Sequence, residues 1–202
     1  PFEFVKGKML LEHGIAEVKP IDATFADGKL AASVKVDFSQ PGGTRRIQVG
    51  CNLASASAAK LTSILKAKTE EIQGDVDLHG EITAQGNSAD EIKRTIQGSA
   101  TLKIENGLLK RFSTLSKTFS LLNVSQLLKF KLPDLVTEGM PFNKITGNFN
   151  IINGVIHTNN LYLDSDAVNV SIIGSYNPSR NYVDTTIGLK PLQTIDKVVS
   201  SI

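Results

Sequence analysis

Leu30-Ala31-Ala32-Ser33-Val34-Lys35-Val36-Asp37-Phe38 places an apolar side chain at every second position, with Ala31, Ser33, Lys35 and Asp37 between them. Successive side chains of an extended chain point to opposite faces. A period of two therefore predicts a β-strand with one buried face and one mostly wet face. Outward from this stretch the period recurs in Ile47, Val49 and Cys51, in Val76, Leu78, Ile82 and Ala84, in Ala100, Leu102 and Ile104, and in Val168, Val170 and Ile172. Turn signals separate the runs: Ala26-Asp27-Gly28, Pro41-Gly42-Gly43, Glu105-Asn106-Gly107, Asn153-Gly154 and Asn177-Pro178. At this spacing roughly ten strands fit, mostly joined as antiparallel hairpins.

A weak internal repeat supports the hairpin reading. Residues Phe4 to Gly14, Lys144 to Gly154 and Ile96 to Gly107 each read as apolar-x-Gly, an alternating strand, then a second glycine. The second glycine suits a turn with positive φ, and the first marks a bulge or a close backbone approach where a sheet bends. A helical period appears in four places: Ala58, Leu61, Ile64 and Leu65; Ala89, Ile92 and Ile96, with Ser88 and Glu91 at capping-box spacing; Leu108, Phe112, Leu115, Phe119 and Leu122; and Pro191 to Ile202. The expectation is a single domain with strands over 1–52, a helix over 53–68, strands over 72–107, a helical insert over 108–135, strands over 140–190 and a terminal helix over 191–202. Its fold class is α+β, mainly antiparallel β: a strongly curved sheet with helices packed on its concave face.

Composition narrows the function. The 202 residues suffice for a real core, and 22 basic against 20 acidic residues leave a formal charge of +2, which argues against a strongly basic nucleic-acid binder. One cysteine, Cys51, excludes an internal disulfide and a cysteine-based zinc cluster, and the three histidines are dispersed at 13, 79 and 157. No run approaches the ~18 consecutive apolar residues of a membrane helix. A start at Pro1, without a basic and apolar leader, suggests a processed chain or an excised fragment.

One ordered string of motifs carries a resemblance. It runs from the strand Gly74 to Gly86 through Ser88 to Ile96, Gln97-Gly98, Glu105-Asn106-Gly107 and an apolar helix. Phe119-Ser120-Leu121-Leu122-Asn123, Pro133-Asp134-Leu135, Gly139-Met140-Pro141-Phe142, Ile145-Thr146-Gly147, Asn153-Gly154-Val155 and Asp164-Ser165-Asp166-Ala167 follow. The string resembles the C-terminal region of AsmA-like proteins, the group that includes TamB-like and DUF3971-type envelope proteins. The likeness covers Gly74 to about Leu192, and residues 1–73 fit more loosely as further strands. The resemblance implies a non-enzymatic protein of the Gram-negative envelope, anchored in the inner membrane and extending through the periplasm. It implies a β-groove whose apolar inner surface passes phospholipids between the membranes and serves outer-membrane maintenance. The expectation is of a fragment without the family's N-terminal anchor and most of its bridge length.

The residues permit that reading. Val76, Leu78, Ile82, Leu102, Ile104, Phe149, Ile151, Val168 and Val170 are the candidate lipid-binding side chains, since a sheet with one apolar face must cover it with helices or a ligand. The competing reading closes an ordinary core with the helices. Asn106 to Pro133 holds basic and apolar residues and no carboxylate, which suits the surface of an anionic bilayer as well as a helix packed on a sheet with a solvated basic back. Its candidate membrane contacts are Lys110, Arg111, Lys117, Phe119, Lys129, Phe130 and Lys131. Asp75, Asp77, His79 and Glu81 alternate along one strand face and read as solvated rather than chelating. His157 shares the side of Val155, Leu161 and Leu163 in a regular strand. No Ser-His-Asp order, phosphate loop or HExxH is present. The expectation is therefore no enzyme, no cofactor and no metal; the partners are phospholipid acyl chains, a membrane surface and other envelope proteins, with no nucleic acid. One rival is a membrane-docking module that carries no lipid. A sugar-processing enzyme is a second, opposed by the absence of tryptophan and of a marked carboxylate pair.

Overall fold

The computed structural model describes residues 2–64, 72–110 and 139–191. They form one sheet of ten antiparallel strands in sequence order. The strands are β1 (Phe2–Glu12), β2 (Ile15–Phe25), β3 (Gly28–Asp37), β4 (Arg46–Ser57), β5 (Ile72–Gln85), β6 (Gln97–Leu109), β7 (Met140–Ile152), β8 (Val155–Asp164), β9 (Val168–Asn177) and β10 (Tyr182–Pro191). Each pairs with its sequence neighbour, and β1 and β10 are the edges. The described helices are short: α1 (Ala58–Ile64), α2 (Ala89–Thr95) and a 3₁₀ turn at Pro41–Gly43. The period-two reading thus holds along most of the described sheet, and the opening stretch differs at its end. Phe38 lies past the end of β3 and is 50% exposed, although its N–H still bonds the Gly14 carbonyl.

The repeat glycines act as their positions suggest in the first place and, in two of the three copies, in the second. Gly7 and Gly147 lie at register shifts in β1 and β7. Gly98 lies so close to β5 that a Cβ would stand 2.1 Å from the Glu81 carbonyl. His13-Gly14 and Asn153-Gly154 are tight turns with both residues at positive φ. Glu105-Asn106-Gly107, expected as a turn, is instead an irregularity inside β6. Asn106 takes φ 52°, β5 shifts register between Gln73 and Asp75, and the Phe142 ring occupies the space a Gly107 side chain would need.

Three expected helix limits also move. Leu53–Ser57 belongs to β4, not to a helix beginning at 53: Leu53 pairs with Leu30 and Leu78, and Ala56 with Val76. Ladder hydrogen bonds on both sides outweigh a short Ala/Ser helical stripe. The bulge between Leu53 and Ala56 is held by Asp77, whose Oδ1 accepts the Ser55 N–H at 2.9 Å. Leu108 and Leu109, expected to open the helical insert, pair with Pro141 and Met140 as strand. Pro191 pairs with Val168 as the last residue of β10 rather than starting a helix. The remainder of those expected helices, at 65–68, 111–135 and 192–202, lies outside the described residues.

One end of the sheet is packed. Ala26, Leu53, Ala56, Ala58, Val76, Ile104, Leu109, Met140 and Phe142 form a buried cluster there, with Leu61 of α1 against it. Lys60 of α1 pairs with Asp27 of the β2–β3 turn and ties the helix to that end. Ser165 is polar yet fully buried. It donates to the Val168 carbonyl at 2.7 Å and accepts the Val168 N–H, so the β8–β9 turn closes without an orphan group. The short α2 caps the opposite end of β5. Ser88 accepts the Glu91 N–H at 3.2 Å, and the Glu91 carboxylate accepts the Asn87 N–H at 2.8 Å, close to the expected capping box.

Candidate functional site

The register sorts side chains into two faces. Cross-strand partners share a face, and residues on one strand alternate. One row crosses all ten strands: Met9, Val18, Val34, Val49, Ile82, Gly98, Ile151, Ile156, Tyr176 and Val183. The next row on the same face is Gly7, Ile21, Ala32, Cys51, Gly80, Ala100, Phe149, Thr158, Gly174 and Thr185. A third holds Leu30, Leu53, Leu78 and Leu102, and a fourth Val76, Ile104, Ile145, Leu163, Val170 and Leu189. No charged residue stands in these rows. The reverse face carries, in one row, Lys6, Asp22, Ala31, Asn52, His79, Thr101 and Asn148.

Val76, Leu78, Ile82, Leu102, Ile104, Phe149, Ile151, Val168 and Val170 all fall on the apolar face. They differ in burial. Val76, Ile104 and Val170 are buried at 4%, 7% and 7% exposure, whereas Leu78, Ile82, Leu102, Phe149, Ile151 and Val168 are half-buried. Leu78, Leu102 and Val168 pack against the buried cluster, and Ile82, Phe149 and Ile151 lie beyond it. Lys110 is exposed just after β6; Arg111, Lys117, Phe119, Lys129, Phe130 and Lys131 lie outside the described residues.

Register also exposes a feature that single strands hide. Across β3 to β6 the second row consists of Ala32, Cys51, Gly80 and Ala100, all small, between the leucine row and the Val34, Val49 and Ile82 row. Same-face neighbours along a strand are about 6.5–7 Å apart, so the two bulky rows stand about 13–14 Å apart at their backbones, with a furrow between them. On β7 the Phe149 ring leans over Gly147, which is buried. Burial pushes the Cys51 thiol above its ordinary pKa, as expected for sulfur on an apolar surface. The signal for the furrow is present in the sequence as small residues at alternate positions, but only pairing reveals that they align.

The polar candidates resolve differently. Asp75, Asp77, His79 and Glu81 lie on the reverse face. His157 pairs with Asn150 and Ser175 on that same reverse face, whereas Leu161 and Leu163 pair with Ile172 and Val170 on the apolar one. A bulge between Thr158 and Leu161 reverses the alternation, so the expected apolar-side histidine is corrected to a polar-side one. A shallow cavity of about 510 Å³ beside it is lined by Asn150, His157, Ser175 and Asp184, among others. No group of three or more His, Cys, Asp or Glu side chains is placed to hold a metal ion among the described residues.

An open meander of ten strands with one uncharged apolar face is the architecture expected of the AsmA-like envelope proteins. The chain matches the family model described as YhdP protein over residues 4–195 and belongs to that family. YhdP proteins are an AsmA-like, DUF3971-type envelope family. No curated relative and no solved structure matches the chain. No described helix is long and apolar enough to cross a membrane.

Proposed function

We propose that the apolar face carries phospholipid acyl chains across the strands, in the periplasm of a Gram-negative bacterium, as the C-terminal part of a longer inner-membrane-anchored protein that maintains the outer membrane. The sheet curls about that face and helices lie against its concave side. Register shifts at six of the nine strand pairs favour such bending, because a bulge bends its strand and adds twist. The protein moves lipid without chemistry and needs no cofactor.

The observation that carries this reading is the uncharged face continuous from β1 to β10, of which the described core covers only one end. Beyond that end Val34, Val49, Ile82, Phe149 and Ile151 are half-buried. Each methylene laid on such a surface contributes about 0.8 kcal/mol, so an acyl chain in the furrow gains several kcal/mol with no polar contact. A carboxylate in the row costs a similar amount if left dry. Extraction of the purified chain into organic solvent, followed by mass spectrometry, tests it. The wild type is expected to yield phospholipid, Ile82→Asp to yield none, and Thr83→Asp, on the reverse face, to match wild type. Ile82 lies outside the buried cluster, so the variant is expected to keep its melting transition. Wild-type protein that carries no lipid and takes none from vesicles overturns the proposal and leaves a docking module.

A further inference from the structure

At the end of the sheet opposite the buried cluster, the division into apolar and polar faces breaks down. Tyr176 and Val183 stand on the apolar face and are 39% and 59% exposed. Ile152 and Tyr182 stand on the reverse face, where the interiors of β4 to β6 carry Asn, Asp, His and Thr, and they are 53% and 59% exposed; Ile173 of β9 adds an apolar side chain on that face, also 53% exposed. The β7–β8 and β9–β10 tips are thus apolar on both sides. Burial among the described residues does not explain that, because their buried cluster lies at the other end of the sheet. The two tips are neighbours: Ile156 of β8 pairs with Tyr176 of β9. The β7–β8 tip also touches α2, where the Gly154 N–H bonds the Ile96 carbonyl.

Charge selects the partner. Arg180 sits in the β9–β10 turn, where its N–H is held by the Asn177 side chain at 3.2 Å, and Arg94 sits in the last turn of α2. Both are exposed, and neither makes a salt bridge among the described residues. The carboxylates nearby are otherwise engaged or set back: Asp90 pairs with Lys93, Glu91 closes the cap of α2, and Asp184 lies two residue pairs behind the turn. Tyrosine and arginine beside aliphatic tips suit the boundary between headgroups and acyl chains, where a ring is buried while its hydroxyl and the guanidinium groups stay with water and phosphate.

We infer that the β7–β8 and β9–β10 tips dock this end of the sheet on an anionic lipid surface, with Ile152, Tyr176, Tyr182 and Val183 entering the interface and Arg94 and Arg180 on the phosphates. The docking tips lie at the open end of the lipid-carrying face: Tyr176 and Val183 belong to its row through Val49 and Ile82, whereas Ile152 and Tyr182 stand on the reverse face. Because the chain contains no tryptophan, single substitutions report the contact cleanly. Emission from the Tyr182→Trp variant is expected to shift to the blue on phosphatidylcholine vesicles doped with phosphatidylglycerol, and not on phosphatidylcholine alone. Emission from Phe4→Trp, at an exposed position near the opposite end of the sheet, is expected to stay unshifted. The double variant Tyr182→Asp/Val183→Asp should lose about tenfold or more in co-sedimentation with the doped vesicles while melting like wild type, and Arg94→Glu/Arg180→Glu should lose a similar factor. Ile82→Asp should bind vesicles normally, which separates docking from lipid carriage. Absence of vesicle binding, unshifted emission from the Tyr182→Trp variant on vesicles that do bind, or a blue shift in the Phe4→Trp variant instead overturns the inference.

Discussion

The two halves of the apolar face are made of the same strands and the same residue types, yet they are packed differently. The least exposed of the large apolar side chains lie at the end where β1 begins: Leu53, Val76, Ile104, Leu109, Met140, Phe142 and Val170. Toward the other end the small Ala84 is covered to a similar degree, but Val34, Val49, Ile82 and Ile151 remain half-buried. The cause lies in the chain between the strands. At the packed end β4 runs directly into α1, whose Ala58 and Leu61 turn back onto the sheet. At the other end the connections are tight turns, a 3₁₀ turn, and a two-turn helix with no buried residue. Among the described residues, the meander therefore concentrates its buried side chains at one end and leaves the other end half-covered.

The strongest way to break this comparison is to empty the packed end. Phe142 is 3% exposed and its ring covers Gly107. Phe142→Ala removes a ring that no neighbour can replace and is expected to cost about 3–5 kcal/mol. A clear drop in the thermal midpoint checks it. Phe149→Ala, at the half-covered end, should cost distinctly less, and equal losses at the two positions would erase the distinction between the halves.

Next in size is a substitution that fills the furrow without charge. Ala100 sits between Gly80 and Phe149 in the row of small residues. If the furrow were closed over by protein, Ala100→Leu would overpack it and cost about 1–3 kcal/mol. In an open furrow the added carbons meet no neighbour. The expected outcome is an unchanged melting temperature with severalfold less co-purifying phospholipid, read by calorimetry and mass spectrometry on one preparation.

These contrasts locate what the sequence discloses and what it hides. Strand number and the identity of the apolar face are legible, because period-two alternation survives along most of the described sheet. The ends of elements are less so. Leu53 to Ser57 and Leu108 to Leu109 carry helix-compatible residues, and their strand state is fixed by partners distant in the chain. His157 reads as an apolar-side residue because the bulge between Thr158 and Leu161 leaves no composition mark. The furrow requires register, which alternation along single strands does not specify. The apolar tips are within reach of sequence: Ile152, Tyr176, Tyr182 and Val183 flank turns, where polar residues are the rule.

Cys51 gives a finer measure of the open half. Its thiol lies in the furrow between Ala32 and Gly80, and burial raises its pKa. Thiolate is then scarcer at neutral pH than in an ordinary cysteine, so maleimide labelling should be slow at pH 7 and accelerate only above the usual thiol range of about 8.5. Stripping the protein of lipid is expected to raise the labelling rate severalfold, and reloading it from vesicles to lower the rate again. A rate indifferent to lipid would mean that the furrow is not where lipid lies.

The smallest effect belongs to the loop that closes the open end between β3 and β4. Asp37 Oδ1 accepts the Ser39 N–H at 2.8 Å and the Ser39 hydroxyl at 2.7 Å, and Oδ2 accepts from Gln40 at 2.6 Å. The Ser39 side-chain bond leads, with the Ser39 N–H and Gln40 bonds behind it, in holding the carboxyl below its ordinary pKa. A lowered folded-state pKa means that the unfolded chain takes up the proton first as pH falls. The stabilisation is complete above the ordinary aspartate range and is lost as pH drops through the lowered value. Asp37→Ala should therefore lower the melting temperature slightly at pH 7, and the gap from wild type should close in strong acid. The group is solvent-exposed, so salt and water screen it and the gap stays small. Were the gap to equal that of Phe142→Ala, the loop would be a second anchor of the fold, and the open half of the sheet would not be held by its strands alone.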